Sequence, residues 1–174
     1  AVDYLAKKMM RKNILEEERR FSGRALDEVR KLTAEVDLLP TVHGTALFSR
    51  GYTQSLSITT LGALGRGNVL NDLTGQDDIE PFMHHYSFPP YSTGEAGRIR
   101  YKPGRREIGH GAIGYNAIKH MLPAEEDFPY SMRVVSEIMT SNGSTSMAAT
   151  CAASMSLMAA GVPLKSSVTG IGVG

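Results

Sequence analysis

Twenty-seven consecutive residues, Ile138 to Leu164, carry no charge, and their composition restricts the fold more than their length does. A run this long could cross a bilayer on length alone. It opens, however, with the hydroxyl- and amide-rich segment Ser141-Asn142-Gly143-Ser144-Thr145-Ser146 and continues mostly as Ala, Ser and Met. Such a run reads as a buried helix of small residues rather than a membrane span. The helix is expected over Ser144–Ala160, closing at Gly161 before Pro163.

The rest of the composition is that of an ordinary soluble globular chain. Its 174 residues are 41% hydrophobic and 21% charged, enough for one domain with a real core and a possible appendage. The formal net charge is +1, so nucleic-acid contact would have to come from local basic patches. The single cysteine, Cys151, excludes an internal disulfide and a Cys-rich zinc site, and fits a reducing compartment. Ala1 to Glu18 has no apolar h-region of a secretory signal. The chain begins at Ala1 rather than Met and stops at Val173-Gly174 in what reads as mid-strand, so we read it as a piece of a longer protein.

Charge is concentrated at the start: residues 1–40 hold nine Lys/Arg and eight Asp/Glu. Residues 1–20 read as a charged connecting helix with a thin apolar stripe of Val2, Leu5, Met9 and Ile14. Residues 21–174 then read as one α+β domain. Val42–Ser49 and Tyr52–Leu61 are β-rich runs joined at Arg50-Gly51, a hairpin, and Gly62–Gly67 reads as a flexible loop. Further strands are expected at Pro81–Phe88, Tyr130–Met139 and Leu164–Val173. A basic loop, Arg98–Arg106, leads into a helix over Glu107–Met121. Strands followed by helix, strand, helix and strand predict a mixed sheet with packed helices.

Two segments carry anion chemistry. In the hydroxyl segment, Gly143 permits a tight turn. The side chains of Ser144, Thr145 and Ser146 could cap the helix start, or the first-turn N–H groups could hold an oxyanion. In the basic loop, Arg98, Arg100, Lys102, Arg105 and Arg106 place five cations within nine residues. Adjacent arginines are planar donor forks suited to phosphate oxygens. Together the segments suit either inorganic phosphate or a nucleic-acid backbone. Glu107 is placed to orient the arginine pair through a salt link, and Glu137, inside a strand, could partner a buried cation.

Other chemistries fit poorly. Gly104 to Gly109 has the outer spacing of a P-loop, but His110-Gly111 stands where Lys-Ser/Thr is needed. His84 and His85, adjacent in a strand, point to opposite faces and do not share a metal. Cys151 sits among Ala and Met and reads as core. Tyr86, Phe88 and Tyr91 flank Pro89-Pro90 as a packed turn or as stacking partners for bases. No carboxylate pair for a divalent metal is evident.

Several blocks resemble polynucleotide phosphorylases, in one continuous order from about Phe21 to Gly174. They are Leu39–Gln54, His85–Ser92, Arg105–Gly111, Arg133–Ile138, the hydroxyl segment and Ala159–Pro163. The match is to the second RNase PH-type core domain, with the C-terminal part missing. The resemblance implies an RNase PH-like fold, related to the ribosomal S5 second-domain topology. It also implies reversible 3′→5′ phosphorolysis of RNA to nucleoside diphosphates, in the cytoplasm. Residue by residue, Ser144, Thr145 and Ser146 fall on the family's phosphate-binding hydroxyls, with Thr where many relatives have a middle Ser. Arg105 and Arg106 match the arginine pair near the scissile phosphate, and His110 a histidine that contacts RNA.

The resemblance further implies a Mg²⁺ ion, whose aspartate ligands fall after Gly174, so no metal ligand is assigned within the chain. Inorganic phosphate is the co-substrate, single-stranded RNA the partner, and a homotrimeric ring the assembly, with no membrane. Ser22 stands where relatives commonly carry Asp. The first RNase PH-type domain and the KH and S1 RNA-binding domains lie outside the chain. The isolated chain is therefore expected to be inactive, with other pieces or copies of the same protein covering its cut edge. The alternative is a catalytically silent ring subunit that binds RNA and scaffolds partners.

Overall fold

Strand β3 (Thr53–Ala63) alternates strictly from its first residue, and every helix-facing position from 53 to 59 is a hydroxyl residue: Thr53, Ser55, Ser57 and Thr59, all fully buried. This row sets the architecture, because side chains this short let a helix approach the sheet closely. The structure, a computed structural model, describes residues 2–71, 77–98 and 102–173.

Two units are present, Ala1–Lys31 and Leu32–Gly174. The first holds helix α1 (Val2–Glu16), none of whose residues is buried; its apolar stripe stays in solvent. Within this unit Arg20 donates to the carbonyls of Glu28 and Leu26.

The second unit is built on a five-stranded sheet in the order β1-β2-β3-β7-β6. Its strands are β1 (Leu32–Val36), β2 (Gly44–Arg50), β3, β6 (Phe82–Ser87) and β7 (Tyr130–Thr140). The expected hairpin is present: β2 and β3 pair antiparallel from Arg50↔Thr53 to Gly44↔Thr59, with Gly51 at φ 56° in the turn. β1, β2, β3 and β7 pair antiparallel, and β6 joins β7 in parallel. The sheet is therefore mixed, and α2 (Arg105–Ile118) makes the crossover from β6 to β7.

Helix α3 (Thr145–Ala159) follows β7 and packs on β2, β3 and β7, while α2 packs on β6 and alongside α3. Eleven of the fifteen residues of α3 are buried. Its small side chains are what permit this. A Cβ on Gly44 would stand 2.4 Å from the Ser156 carbonyl and 2.5 Å from the Ala160 nitrogen. The helix ends as expected: Gly161, at φ +79°, donates to Met158 O, and Val162 N donates to Leu157 O at 3.1 Å. This doubly bonded glycine cap satisfies two helix-end carbonyls. Phe82, Ile118, Met132, Val134, Leu157 and Val162 form the main apolar core between the sheet and the two helices. Among the described residues no helix is long and apolar enough to cross a membrane.

Three expectations are corrected, and one pair of strands was not expected at all. Gly62–Gly67 is not a loop throughout: β3 continues to Ala63 and a 3₁₀ turn follows at Leu64–Arg66. Asn68–Asn71 and Asp77–Glu80 pair as the strands β4 and β5, in a second sheet that sequence reading missed. The helix expected from Glu107 starts at Arg105 and gives way to a 3₁₀ turn at Lys119–Met121. Leu164–Val173 is not a strand. Its backbone bonds to side chains of α3 instead: Val168 N donates to Ser154 Oγ at 2.9 Å and Gly170 N to Cys151 Sγ at 3.2 Å. Gly170 is required there, since a Cβ would lie 2.8 Å from the backbone of Met147.

Gly44→Ala is expected to lower stability by about 1–3 kcal/mol, because the added methyl meets helix backbone that cannot rotate away. Gly65→Ala, which opens onto free space, is expected to change it by less than about 0.5 kcal/mol. Chemical denaturation of the two variants checks the pair, and equal effects would contradict the close approach.

Candidate functional site

β6 runs parallel to β7, and its last residue, Ser87, lies opposite Glu137, three residues before β7 ends at Thr140. Each is followed by a helix that begins beside those carboxyl ends, α2 through the Pro89–Lys102 stretch and α3 directly. In sheets with this local topology, the space outside the carboxyl ends of the strands is where ligands are held. Residues 99–101, including Arg100 of the basic loop, lie outside the described residues.

The hydroxyl segment forms a strained turn. Gly143 (φ 79°) and Ser144 (φ 49°, ψ 41°) are both left-handed, a conformation that costs a non-glycine residue about 1 kcal/mol or more. Two side chains from the β2–β3 hairpin hold it. Thr53 Oγ1 accepts from Asn142 N at 2.9 Å and donates to Gly143 O at 3.0 Å. Arg50 Nη2 donates to Gly143 O at 2.9 Å and to Asn142 O at 3.3 Å. The buried Nε of Arg50 has no partner among the described residues. Ser144 does not cap the helix with its side chain, contrary to the capping alternative. It is exposed, while Thr145 and Ser146 are buried.

Arg105 and Arg106 occupy the first turn of α2, both exposed. Cations there work against the helix dipole, so the position favours an added anion. Glu107 does not form the expected salt link with them. Its Oε1 accepts from Phe88 N at 2.9 Å and its Oε2 from Gly104 N at 2.7 Å, so the carboxylate caps α2 and ties it to the end of β6. Among the described residues Glu137 partners no cation either; it accepts the Tyr91 hydroxyl.

Between the two helix starts lies an aromatic stack. Arg106 sits over the Phe88 ring at 5.1 Å. Phe88 stacks on Tyr86 at 6.3 Å, and Tyr86 on His110 at 5.1 Å. The Tyr86 hydroxyl is hydrogen-bonded to Thr145 Oγ1 at 2.7 Å. The structure thus joins Arg106, His110 and Thr145 through Tyr86. Among the described residues no hydrogen bond links either arginine directly to residues 144–146. Burial, and then the Arg106 charge, hold the pKa of His110 below its ordinary value, and its buried Nδ1 has no partner among the described residues.

One row deeper, His84 keys α2 to the sheet. Gly111 O can only accept, so His84 Nδ1 donates to it at 3.0 Å, and Nε2 accepts from Ser136 Oγ at 2.9 Å. Ser136 in turn meets Ser57 at 2.7 Å. A Cβ on Gly114 would lie 2.4 Å from the imidazole, so this helix turn must be bare. His85 is exposed on the opposite face, as expected. Among the described residues no three His, Cys, Asp or Glu side chains gather as metal ligands.

Residues 28–163 match the family model described as 3′ exoribonuclease family, domain 1, the RNase PH family. The chain belongs to this family. It is 54% identical to the polyribonucleotide nucleotidyltransferase of Natranaerobius thermophilus over 177 residues, covering 100% of this chain and 24% of that protein. The corresponding protein of Bacillus licheniformis is 54% identical over 170 residues, covering 98% of this chain and again 24% of the relative. The chain therefore spans about a quarter of the length of the curated relatives it matches. Among solved structures, rice (Oryza sativa) Rrp46 superposes with a TM-score of 0.61 at 20% identity, covering 85% of this chain and 64% of that one. The RNase PH-type α+β fold expected from the sequence is the fold observed.

Sequence reading did not single out Arg50, Thr53 or His84 as parts of this arrangement. Arg50 and Thr53 are separated from the turn they hold by about ninety residues, and only the strand register brings them together.

His84 sets a testable pH dependence. Burial, and then the neighbouring His85, hold its folded-state pKa below the ordinary 6.5, although the bond to Gly111 opposes this. The unfolded chain then binds the proton more readily, so stability is full above pH 6.5 and falls as the pH drops through that value. His85 and His110, also depressed, add with the same sign. His84→Gln is expected to flatten the loss of melting temperature between pH 7 and about pH 5, and an unchanged slope would remove His84 from the account.

Proposed function

We propose that this chain is the anion-binding part of the second RNase PH-type domain of a polyribonucleotide nucleotidyltransferase. In the reaction, an oxygen of inorganic phosphate bonds to the phosphorus of the 3′-terminal phosphodiester. The P–O3′ bond to the preceding nucleotide breaks, O3′ takes up a proton, and a nucleoside diphosphate leaves; the reverse reaction extends RNA. The observation that carries this reading is the pairing of an arginine turn with a hydroxyl turn at the carboxyl ends of β6 and β7, coupled through Tyr86.

In this scheme the nucleophile is the phosphate itself, so the chain's work is to bind, orient and neutralise. The first-turn N–H groups of α3, with Ser144, Thr145 and Ser146, would hold the attacking phosphate. Arg105 and Arg106 would offset charge as it builds on the phosphoryl oxygens. His110, kept neutral at ordinary pH by burial, would contact the RNA without adding charge. A Mg²⁺ ion would supply further charge neutralisation, drawing its ligands from outside the described residues. The assembled enzyme is proposed to be a cytoplasmic homotrimeric ring acting on single-stranded 3′ ends.

The full-length protein is expected to release nucleoside diphosphates from oligo-RNA only when phosphate and Mg²⁺ are supplied. Arg106→Ala is expected to lower kcat/KM by about a hundredfold. Shortening without phosphate, with nucleoside monophosphates as product, would refute phosphorolysis. Retention of RNA with no shortening under any condition would instead favour the silent ring subunit.

A further inference from the structure

Tyr86 is the physical bridge between the two halves of the proposed site, and its chemistry gives the bridge a direction. It is 5% exposed and Thr145 is 4% exposed, so water does not compete for the bond between their hydroxyls, 2.7 Å long. A phenol is a far stronger acid than an aliphatic alcohol, so the phenol donates and Thr145 Oγ1 accepts. Burial raises the pKa of Tyr86, which keeps that proton in place across the physiological range. Thr145 shows no other side-chain partner among the described residues, so its own hydroxyl hydrogen is left to point elsewhere. The Tyr86 ring is meanwhile fixed between Phe88 and His110, with Arg106 over Phe88.

We propose that Tyr86 is a positioning residue for the attacking phosphate. By donating to Thr145 Oγ1 it turns the threonine hydroxyl hydrogen toward the anion and fixes the start of α3 relative to the α2 turn that carries Arg106 and His110. The tyrosine touches no substrate. It acts through Thr145, and a chain of two donors, phenol to alcohol to phosphate oxygen, polarises the second. The inference rests on the phosphorolytic reading above, and its test is arranged so that the two fail separately.

Tyr86→Phe deletes one oxygen and leaves the ring stack. In the full-length protein it is expected to raise KM for phosphate about fivefold, the worth of one hydrogen bond of about 1 kcal/mol, and to leave KM for oligo-RNA within about twofold. Thr145→Val is expected to do the same, and the double variant to be no worse than the more damaged single one, since both remove one donor chain. A fall in melting temperature with KM for phosphate unchanged would make the bond merely structural and overturn the proposal, as would additive effects in the double variant. If the wild type forms no diphosphates, the phosphorolytic reading fails. Calorimetric titration with inorganic phosphate then decides the inference: weaker binding by Tyr86→Phe sustains it, and equal binding or none by the wild type overturns it.

Discussion

The close approach of α3 to strands β2 and β3 is the constraint on which the rest of the unit depends. Even a methyl group on Gly44 would meet the backbone of α3. The facing positions are correspondingly Ala, Ser and Thr. Close packing of small groups gains dispersion contacts over a dense interface, but it also buries hydroxyls, which must find partners. They do so across the interface, between neighbouring strands or along the helix: Thr59 with Ser156, Ser57 with Ser136, Thr150 with Ser146 O. Ser55 Oγ is an exception, buried with no partner among the described residues.

This polar interior also determines where the two helices begin. His84 locks α2 at Gly111, Tyr86 meets His110 one row further on, and Phe88 receives Glu107 at the end. Three successive inward residues of one strand and its exit thus read out one face of α2 in reverse order. The same strand reaches α3 through the Tyr86 hydroxyl. β6 is an edge strand of the sheet, yet it places both helix starts.

The sequence displayed the helices and the central strands because their patterns are long and their boundaries chemically marked. Gly161 ended α3 where a left-handed cap was needed, and Arg50-Gly51 marked the hairpin. β1 escaped notice for a physical reason: all five residues are exposed, so no buried face imposes alternation on Leu32–Val36. Leu164–Val173 misled in the opposite way. Its apolar composition suits a strand, but the segment lies against α3, where Ser154 and Cys151 take the bonds a neighbouring strand would have taken. At the site, the arginines and hydroxyls were legible as residue types at helix starts. The roles of Glu107 and Glu137 were not, because a carboxylate next to cations in sequence can turn its oxygens to backbone N–H groups or to a phenol instead.

That turning away has an electrostatic consequence. Glu107 spends both oxygens on the N–H groups of Phe88 and Gly104, and Glu137 accepts Tyr91. Among the described residues neither Arg105 nor Arg106 has an acidic partner; the one ion pair is Lys12–Glu16, far off in sequence on α1. Two helix N-termini, each a partial positive charge, converge on the same end of the sheet. His110 is held neutral and takes nothing from this balance. At the mouth between α2 and α3 the guanidinium donors of Arg105 and Arg106 are therefore paired with no carboxylate among the described residues, and are free to meet an added anion. Had Glu107 paired with Arg106, the same residues would have formed a self-neutralised surface, and the helix cap that places Arg106 would have been lost with it.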